Sequence, residues 1–511
     1  MDYSGFQWRQ VEPEVWKHHV WQRDIDEVEY MYTALARQYK ASGRSFFHIT
    51  GHLSLKVSAS QFASADDADR VLKDALGRAW LSLRKKHPTI ASQTKWDPAR
   101  EKYIKEYRSD MRGWGEETLV FVDDKQTGTD FANSDPPAPD LPTLFVLSPR
   151  LAEDDGVWIR KDVVLRSPHD IIDGIGTLYL LNNFAELASE TLAKGDTFAI
   201  TDTYSQGEET RLSPAYRVAA NVPTDTTELV KKRLGAAAAA NSTNNAEPIG
   251  FPYTPGAVLP GKHQRVELLL PEKETASILA ASKKLGATVT HVFHAAIAIV
   301  LRDMQEKPTD APRNVQYVNY ILRNERASCS PPFNEGKLHP AGVYHSVSSQ
   351  KLVVDMVIKP DSMAANKDDE KREDFLQALE MIRDHYHAVR DDKEHYALVP
   401  TLFAMGSPEL PPPTNESQEL PIPPPKDLAA VSISSMGRID SIMPPRHGSI
   451  ELHNPWVTGE ELKNGIGAFL GTFRGELALS AAYNDAWNDK EKITRFLEQC
   501  LAVVKTGLDL N

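Results

Sequence analysis

The alternation of apolar and polar residues along the chain predicts a succession of strands and helices. The clearest helix spans residues 65–86, where apolar side chains recur every three or four positions and Pro88 ends the pattern. Residues 45–57 are rich in β-branched and aromatic residues and predict a strand. The other main elements show one of these two signals: strands at 144–147, 156–166, 263–271, 314–322, 429–436 and 476–483, and helices at 28–39, 174–193, 271–285, 288–304 and 489–508.

The predicted elements fall into two comparable parts. Strands and helices alternate in residues 1–235 and again in residues 262–511, which predicts an α/β fold with two halves. Between them, residues 236–261 contain an alanine run, the stretch Asn-Ser-Thr-Asn-Asn and scattered prolines, so we predict a linker there. A second proline-rich loop is predicted at residues 407–426, and its role stays open.

Composition narrows the function classes. The chain has 511 residues, 41% of them apolar, which is enough for two or three domains with buried cores. A net charge of −13 argues against nucleic acid or an anionic membrane surface as a main partner. Two cysteines, Cys329 and Cys500, cannot build a disulfide framework or a cysteine zinc site. The chain has no apolar stretch of membrane-spanning length and no signal-like start, so we expect a cytoplasmic, reducing setting.

The strongest candidate for chemistry is the run Ser-Pro-His-Asp-Ile-Ile-Asp-Gly-Ile-Gly, which contains His169 and Asp173. It lies where a predicted strand ends and a predicted helix begins, a common place for reactive side chains in α/β proteins. The spacing alone is a weak signal, because about one such pair is expected by chance, and a hydrogen-bonded turn histidine would also fit. A second pair, His387 and Asp391, follows no strand, lacks the glycine and lies in a charged, solvated stretch.

Two other patterns in the sequence are not taken as binding sites, one for phosphate and one for a metal ion. Residues 256–263 mimic a phosphate-binding loop, but His263 replaces the required serine or threonine and a strand follows instead of a helix. His291 and His294 lie three positions apart on a predicted helix. Without a nearby carboxylate, helix packing is a better interpretation of this pair than a metal site. We therefore predict no metal site and no permanently bound cofactor.

Four stretches resemble the condensation-type acyltransferase superfamily, which includes chloramphenicol acetyltransferase, plant alcohol acyltransferases and peptide-synthetase condensation domains. They are SLRKKHPTI at 82–90, HDIIDG at 169–174, ATVTHVFHAAIAIVL at 287–301 and AVSISSMGRID at 430–440. The runs WRQVEPEVW and GRSFFHITGHLSL are similar to free-standing fungal O-acetyltransferases of the trichothecene 15-O-acetyltransferase type. Two departures are that Pro168 replaces the second histidine of condensation domains, and that the Asp-Phe-Gly-Trp-Gly loop of plant enzymes is missing.

The resemblance implies two chloramphenicol-acetyltransferase-like halves, each a mixed sheet flanked by helices, which form a V with a central tunnel at His169. It implies a CoA-dependent O-acyltransferase that uses acetyl-CoA as co-substrate. The other substrate would be a small-molecule alcohol of secondary metabolism, such as a trichothecene-type sesquiterpenoid. His169 would take the hydroxyl proton as general base, since an unshifted imidazole is poised near neutral pH. The alcohol oxygen would attack the thioester directly.

The resemblance also assigns residues that would contact acetyl-CoA, both at its thioester carbonyl and at its phosphates. Ser434 or Ser435 would donate a hydrogen bond to the tetrahedral oxyanion, with Ser434 preferred. Lys283 and Lys284 are candidates for contacting the CoA phosphates, although exposed helical lysines are usually only solvated.

Three further residues would support the turn that carries the histidine. In the superfamily the aspartate points away from the reaction and pairs with an arginine, so Asp173 is assigned a structural role. Arg323 is the preferred partner and Arg326 the second choice. Gly174 would permit tight packing after the turn.

Two alternatives to the acyltransferase interpretation remain open at this point. A condensation-like enzyme could use His169 to form an amide or to cyclise a substrate. A non-catalytic small-molecule-binding protein could use the same fold, although the intact HxxxDG pattern argues against it. The identity of the alcohol, the acyl chain length and the oligomeric state cannot be predicted from these residues.

Overall fold

The computed structural model describes residues 4–11, 19–110, 112–149, 158–200, 207–243, 246–363, 367–413 and 419–510. The start of the strand predicted at 156–166 and the middle of the loop predicted at 407–426 lie outside these residues. The helices are α1 Glu27–Tyr39, α2 Ala65–Lys86, α3 Trp114–Thr118, α4 Gly128–Ala132, α5 Gly174–Lys194, α6 Tyr216–Ala219, α7 Glu228–Ser242, α8 Glu272–Lys284, α9 Val289–Asp303, α10 Lys367–Asp391, α11 Val399–Gly406 and α12 Lys490–Gly507.

The strands are β1 Arg9–Val11, β2 Val20–Asp24, β3 Ile49–Ser58, β4 Ser92–Asp97, β5 Lys102–Arg108, β6 Leu119–Val122, β7 Thr143–Leu147, β8 Trp158–Ser167, β9 Glu247–Ile249, β10 His263–Leu270, β11 Arg313–Asn319, β12 Leu322–Asn324, β13 His345–Val347, β14 Leu352–Ile358, β15 Val431–Arg438, β16 Arg446–His447, β17 Ile450–Gly459, β18 Ile466–Phe473 and β19 Glu476–Asn484. The main strands and helices predicted from periodicity are present. Most of their ends agree within a few residues, as expected for signals that are weakest at element boundaries.

Helix α2 shows why the local signals were reliable. The Ser64 side chain caps its start by accepting a hydrogen bond from the backbone N–H of Asp67 at 3.1 Å. The predicted apolar stripe, including Leu76 and Trp80, is buried against α5 and the sheet beneath it. The helix ends at Lys86, two residues before Pro88, because proline cannot continue the hydrogen-bond ladder.

Three sheets have four or more strands among the described residues. The largest has six strands in the order β16-β17-β3-β8-β7-β6, and two have four strands in the orders β10-β19-β18-β15 and β1-β2-β5-β4. Strand β17 pairs antiparallel with β3, so a segment from late in the chain completes the sheet that carries β8. The predicted boundary between the halves stays a prediction, but this crossover ties residues 446–459 to the first half's sheet.

The segment predicted as a linker contains regular structure. Its alanine run is the second half of α7, in keeping with alanine's high helix propensity. Strand β9 then pairs parallel with β11 and so belongs to a sheet of the later part of the chain.

Two apolar clusters form the cores. One lies between α2, α5 and the six-stranded sheet, and the other surrounds α9 and α12. His294 lies inside the second cluster, where its Nε2 and Nδ1 atoms are 2.8 and 3.1 Å from the hydroxyls of Tyr317 and Tyr386. Packing thus accounts for His294, whereas the Nδ1 atom of His291 accepts a hydrogen bond from the backbone N–H of Thr288 at the start of α9. In the described residues, no group of three or more potential metal ligands comes together.

No single helix of the described residues is long and apolar enough to cross a membrane. Helices α8 and α9 reach that length and apolarity only when taken together, and the pair is bent by 91°.

Candidate active site

His169 lies in the turn that connects β8 to α5. The strand ends at Ser167 and the helix starts at Gly174. Ile171 and Ile172 anchor the turn because both side chains are buried, whereas the His169 side chain keeps partial exposure. The structure therefore places this imidazole where the sequence predicted it, at a strand-to-helix junction.

Asp173 is fully engaged in holding the turn. It caps α5, with its Oδ1 atom accepting a hydrogen bond from the backbone N–H of Gly176 at 2.7 Å. Its Oδ2 atom accepts from the Arg326 guanidinium at 2.9 Å and from the backbone N–H of Tyr344 at 2.8 Å. Burial alone would raise the pKa of Asp173, but the charge of Arg326 and the hydrogen bonds from Arg326 and Gly176, together with His345, lower it below its ordinary value. The carboxylate is thus a structural anion that joins distant segments.

The partner of Asp173 is Arg326, the second choice from the sequence, and not Arg323. The Arg323 Nε atom lies 2.9 Å from Oε1 of the buried Glu325. Arg326 begins the short turn after β12, and from there its guanidinium reaches the start of α5. The expectation that Arg323 pairs with Asp173 is therefore wrong. Arg323 and Arg326 lie three residues apart, and their side chains pair with different carboxylates.

The tight packing expected at Gly174 occurs at Gly176 instead. A Cβ atom at Gly174 would make ordinary contact with Met436, at 3.4 Å from its Cε atom. A Cβ atom at Gly176 would lie 2.1 Å from the carbonyl oxygen of Pro340, which no side chain can tolerate without backbone movement. Hence the assignment of close packing to Gly174 is wrong by two positions.

Aromatic groups surround the His169 imidazole. The Tyr32 ring of α1 stacks on it with centroids 3.7 Å apart and planes 9° apart. The His345 ring of β13 lies 5.5 Å away, and its Nε2 atom is 2.8 Å from the Tyr32 hydroxyl. Burial, with a smaller contribution from His345, lowers the pKa of His169 to about 3. The imidazole is therefore neutral at physiological pH, although its pKa is not the unshifted value expected from the sequence.

The two candidate serines lie on opposite faces of β15. Side chains alternate along a strand, so Ser435 shares the face of the core residue Ile433. The Ser435 Oγ atom accepts a hydrogen bond from the Thr290 hydroxyl of α9 at 2.9 Å. Ser434 points to the other face. The next residue but one, Met436, packs against the first core close to Gly174, which brings this end of β15 to the histidine turn.

Lys283 and Lys284 lie in the last turn of α8, and both are exposed. No described feature connects them with the histidine turn, so their role in binding CoA phosphates stays a prediction.

Two open cavities lie away from the histidine turn. One, of about 230 Å³, is bordered by Arg44, Asp135 and Glu460, and the other, of about 220 Å³, is bordered by Arg233 and Tyr396. His169 lines neither of them. The tunnel implied by the resemblance also stays a prediction.

Sequence analysis missed Tyr32 and His345. Tyr32 lies inside a correctly predicted helix, and His345 follows the run Gly-Val-Tyr without any motif. Neither position differs in pattern from an ordinary packing residue. Tyr32 lies 137 positions before His169 and His345 lies 176 positions after it, so their proximity depends on long-range contacts.

Comparisons with known proteins find relatives of similar sequence and similar fold. No family model matches the chain. The O-acetyltransferase pigM of Monascus ruber is 25% identical over 515 residues, which cover 98% of this chain and 87% of that protein. The trichothecene 15-O-acetyltransferase TRI3 of Fusarium sporotrichioides superposes with a TM-score of 0.71 at 16% identity, covering 99% and 98% of the two chains. The first condensation domain of the calcium-dependent antibiotic synthetase superposes with a TM-score of 0.61 at 14% identity, covering 96% and 97%.

The solved structures establish the fold, and the pigM match extends the likeness to the sequence. The resemblance inferred from the four stretches is confirmed, as is the α/β fold class with chloramphenicol-acetyltransferase-like halves. The chain therefore has a chloramphenicol-acetyltransferase-like fold, and its sequence is similar to that of an O-acetyltransferase over nearly its whole length.

Proposed function

We propose that the protein is a CoA-dependent O-acetyltransferase of secondary metabolism that uses His169 as its general base. The observation that carries this proposal is a neutral imidazole at the strand-to-helix turn whose neighbouring aspartate is wholly occupied by structural partners. A base that is neutral at physiological pH can accept a proton from a hydroxyl group. The names of pigM and TRI3 favour an acetyl group and an oxygen acceptor.

The proposed reaction needs one proton carrier. The Nδ1 atom of His169 is buried, so Nε2 is the nitrogen available to a substrate. It takes the proton from the alcohol while the alcohol oxygen attacks the carbonyl carbon of acetyl-CoA. The C–S bond then breaks, and the protonated imidazole returns the proton to the CoA thiolate. The products are the acetate ester and CoA, and the histidine ends neutral.

Ser434 is the better candidate for stabilising the oxyanion. The hydroxyl of Ser435 is already bonded to Thr290 on the helix-facing side of β15. Ser434 faces away from that helix, and beyond the bulge between Ser435 and Gly437 this end of β15 reaches the histidine turn through Met436. Removing one donor of this kind typically lowers kcat by about 10²–10³-fold. We therefore expect Ser434→Ala to reduce kcat strongly and Ser435→Ala to change it much less.

For the acceptor we propose a hydroxylated small molecule such as a trichothecene-type sesquiterpenoid, by analogy with TRI3. Lys283 and Lys284 belong to the same proposal as contacts for the CoA phosphates. Exchanging both for glutamine should then raise the KM for acetyl-CoA without changing kcat. An unchanged KM would remove them from the site.

The decisive test is thiol release from acetyl-CoA in the presence of a panel of hydroxylated terpenoids and the matching amines. Release that depends on the alcohol, with one equivalent of ester formed per thiol, supports the proposal. Release only with amines would favour the condensation-like alternative. Binding of the alcohols in calorimetry without any release, from acetyl-CoA or longer acyl-CoA donors, would favour the non-catalytic alternative.

A further inference from the structure

The four-stranded sheet β1-β2-β5-β4 carries a row of polar side chains that reaches the histidine turn. Lys105 of β5 lies directly opposite Arg23 of β2 and Thr94 of β4 in the strand register. Residues opposite each other on neighbouring antiparallel strands point to the same face of a sheet. Arg23 and Lys105 are each 1% exposed, although such cations are almost never fully buried unless they are paired. The role of the row therefore depends on its partners.

Glu29 of α1 contacts both of these buried cations. Its carboxylate accepts hydrogen bonds from Nη1 and Nη2 of Arg23 at 2.6 and 2.7 Å and from Nζ of Lys105 at 2.7 Å. Burial would raise the pKa of Glu29, but the charges of Arg23 and Lys105 lower it to about 2. Glu29 is thus ionised at physiological pH, and its single charge is shared between two cations.

The second carboxylate beside Lys105 belongs to Asp170, the residue that follows His169. Lys105 Nζ lies 3.8 Å from Asp170 Oδ2 and donates a hydrogen bond to the backbone carbonyl of Asp170. The Thr94 hydroxyl donates a hydrogen bond to the same Oδ2 atom. Both the side chain and the main chain of residue 170 are therefore held by the four-stranded sheet.

Asp170 lies at the point of the turn where such contacts affect the histidine. The His169 imidazole is hydrogen-bonded to the backbone of its own residue, so the position of the ring follows the path of the turn backbone. Asp173 fixes the other end of the turn, where it caps α5. Displacing a reacting group by about 1 Å can lower a rate by about 10²-fold. A backbone shift at Asp170 would thus change the rate by moving the imidazole.

We propose that Lys105 and Thr94 are positioning residues that hold the His169 turn against the four-stranded sheet by binding Asp170. The buried Lys105 ammonium keeps both of its carboxylate partners only while the turn is in place, so the packing of this sheet and the position of the turn depend on each other. This inference rests on the proposed role of His169 as the base. It gives the four-stranded sheet a part in the reaction that the pair of Asp173 and Arg326 does not fill.

A charge-balanced variant separates positioning from a purely stabilising role. Lys105→Met leaves the Asp170 carboxylate buried without its cation, so we expect a lower urea midpoint and a lower kcat. Adding Asp170→Asn removes that buried charge, so much of the midpoint should return. The bond from Lys105 to the carbonyl of residue 170 is still missing, so kcat should stay about 10-fold or more below the wild type, with KM for the alcohol nearly unchanged. A kcat that returns together with the midpoint would overturn the proposal.

Thr94 provides a milder variant that keeps the proposal testable if Lys105→Met does not fold. Thr94→Val keeps the shape of the side chain and loses the hydroxyl, so we expect kcat to fall about 10-fold at an unchanged KM for the alcohol. Thr94→Ser keeps the hydroxyl and should stay near the wild type. Lys95→Met is the matched control, since Lys95 is the next residue on β4 and pairs with Glu106 from a 43% exposed position. A wild-type kcat in Thr94→Val would overturn the proposal.

A second measurement follows the turn without any substrate. The backbone N–H of Ile171 donates to the carbonyl of Pro168 at 3.3 Å, and hydrogen–deuterium exchange with mass spectrometry reports how often this turn opens. The peptide with residues 168–174 should exchange faster in Thr94→Val than in the wild type or Lys95→Met, at a temperature where all three are folded. Equal exchange in the three proteins would overturn the proposal. Faster exchange in a protein that never releases thiol in response to an alcohol would support these contacts and remove the proposed function.

Discussion

The chain contains two His-x-x-x-Asp pairs, and the aspartate is buried in one pair and exposed in the other. His169 and Asp173 span a turn between β8 and α5, where Asp173 caps the helix and meets the buried Arg326. His387 and Asp391 lie one turn apart at the end of α10, where Asp391 pairs with the adjacent Arg390. The Asp173 and Arg326 side chains are 3% and 5% exposed, whereas Asp391 and Arg390 are 61% and 63% exposed.

The difference shows that the spacing of the two residues carries little information by itself. In α10 the pair is a helical i, i+4 arrangement on a solvated face, where ion pairs contribute little. In the turn, the aspartate joins three segments. The histidine is stacked on Tyr32 from the first part of the chain and lies beside His345 from the second. Chemistry becomes available only where the surrounding structure excludes water and fixes the ring.

The largest difference between the two pairs is expected in kcat when each histidine is replaced in turn. We expect His169→Ala to lower alcohol-dependent kcat by about 10²–10⁴-fold, because the base is lost. His387→Ala should leave kcat unchanged, since its ring packs against His291 of α9 and not against the histidine turn. Initial rates of thiol release would measure both. Equal losses, or a fully active His169→Ala, would remove the distinction between the two pairs.

The aspartates should differ in stability. Asp173→Ala leaves the buried Arg326 guanidinium without its partner, which should cost about 3–5 kcal/mol of the free energy of unfolding. Asp391→Ala removes only an exposed pair and should have no measurable effect. Urea denaturation would measure the free energy of unfolding of both variants, provided that the transitions stay cooperative. A stable Asp173→Ala protein would show that the turn does not depend on this ion pair.

The glycines after Asp173 provide a finer comparison within the first pair. Gly176→Ala would push a methyl group into the Pro340 carbonyl, so we expect a loss of about 1–3 kcal/mol. Gly174→Ala would make only ordinary contact with Met436 and should stay within about 0.5 kcal/mol of the wild type. Thermal or urea unfolding would rank the two variants. The reverse order would restore Gly174 as the position of close packing.

The smallest expected effect is that of mild acid on the rate. A general base works only in its neutral form, and burial lowers the pKa of His169 to about 3, so it stays neutral down to that range. Between pH 7.5 and 6, kcat/KM should therefore stay almost constant. An unshifted imidazole would lose roughly fourfold over the same interval. A fourfold loss in the wild type, with the fold intact by circular dichroism, would contradict the low pKa of His169.

Local patterns were sufficient for the elements that position the site. The stripe and cap of α2, the β-branched run of β8 and the apolar start of α5 each depend on neighbours within a few residues. Strand β17 escaped prediction because Pro455 interrupts it and Asn454 adopts a left-handed φ of 46° at a bulge. An interrupted alternation of apolar and polar residues does not predict a strand, yet pairing with β3 tolerates the bulge.

Periodicity, capping and short motifs act over short distances, so they were enough to predict the α/β class, the turn that presents His169 and the resemblance to the acyltransferase superfamily. The packing of distant segments brings Arg326 and not Arg323 to Asp173, makes Gly176 and not Gly174 the crowded glycine, and places Tyr32 and His345 beside the imidazole. These choices depend on which side chains meet after segments more than a hundred residues apart have packed. A few ångströms of displacement change the partner, and no local pattern encodes that distance.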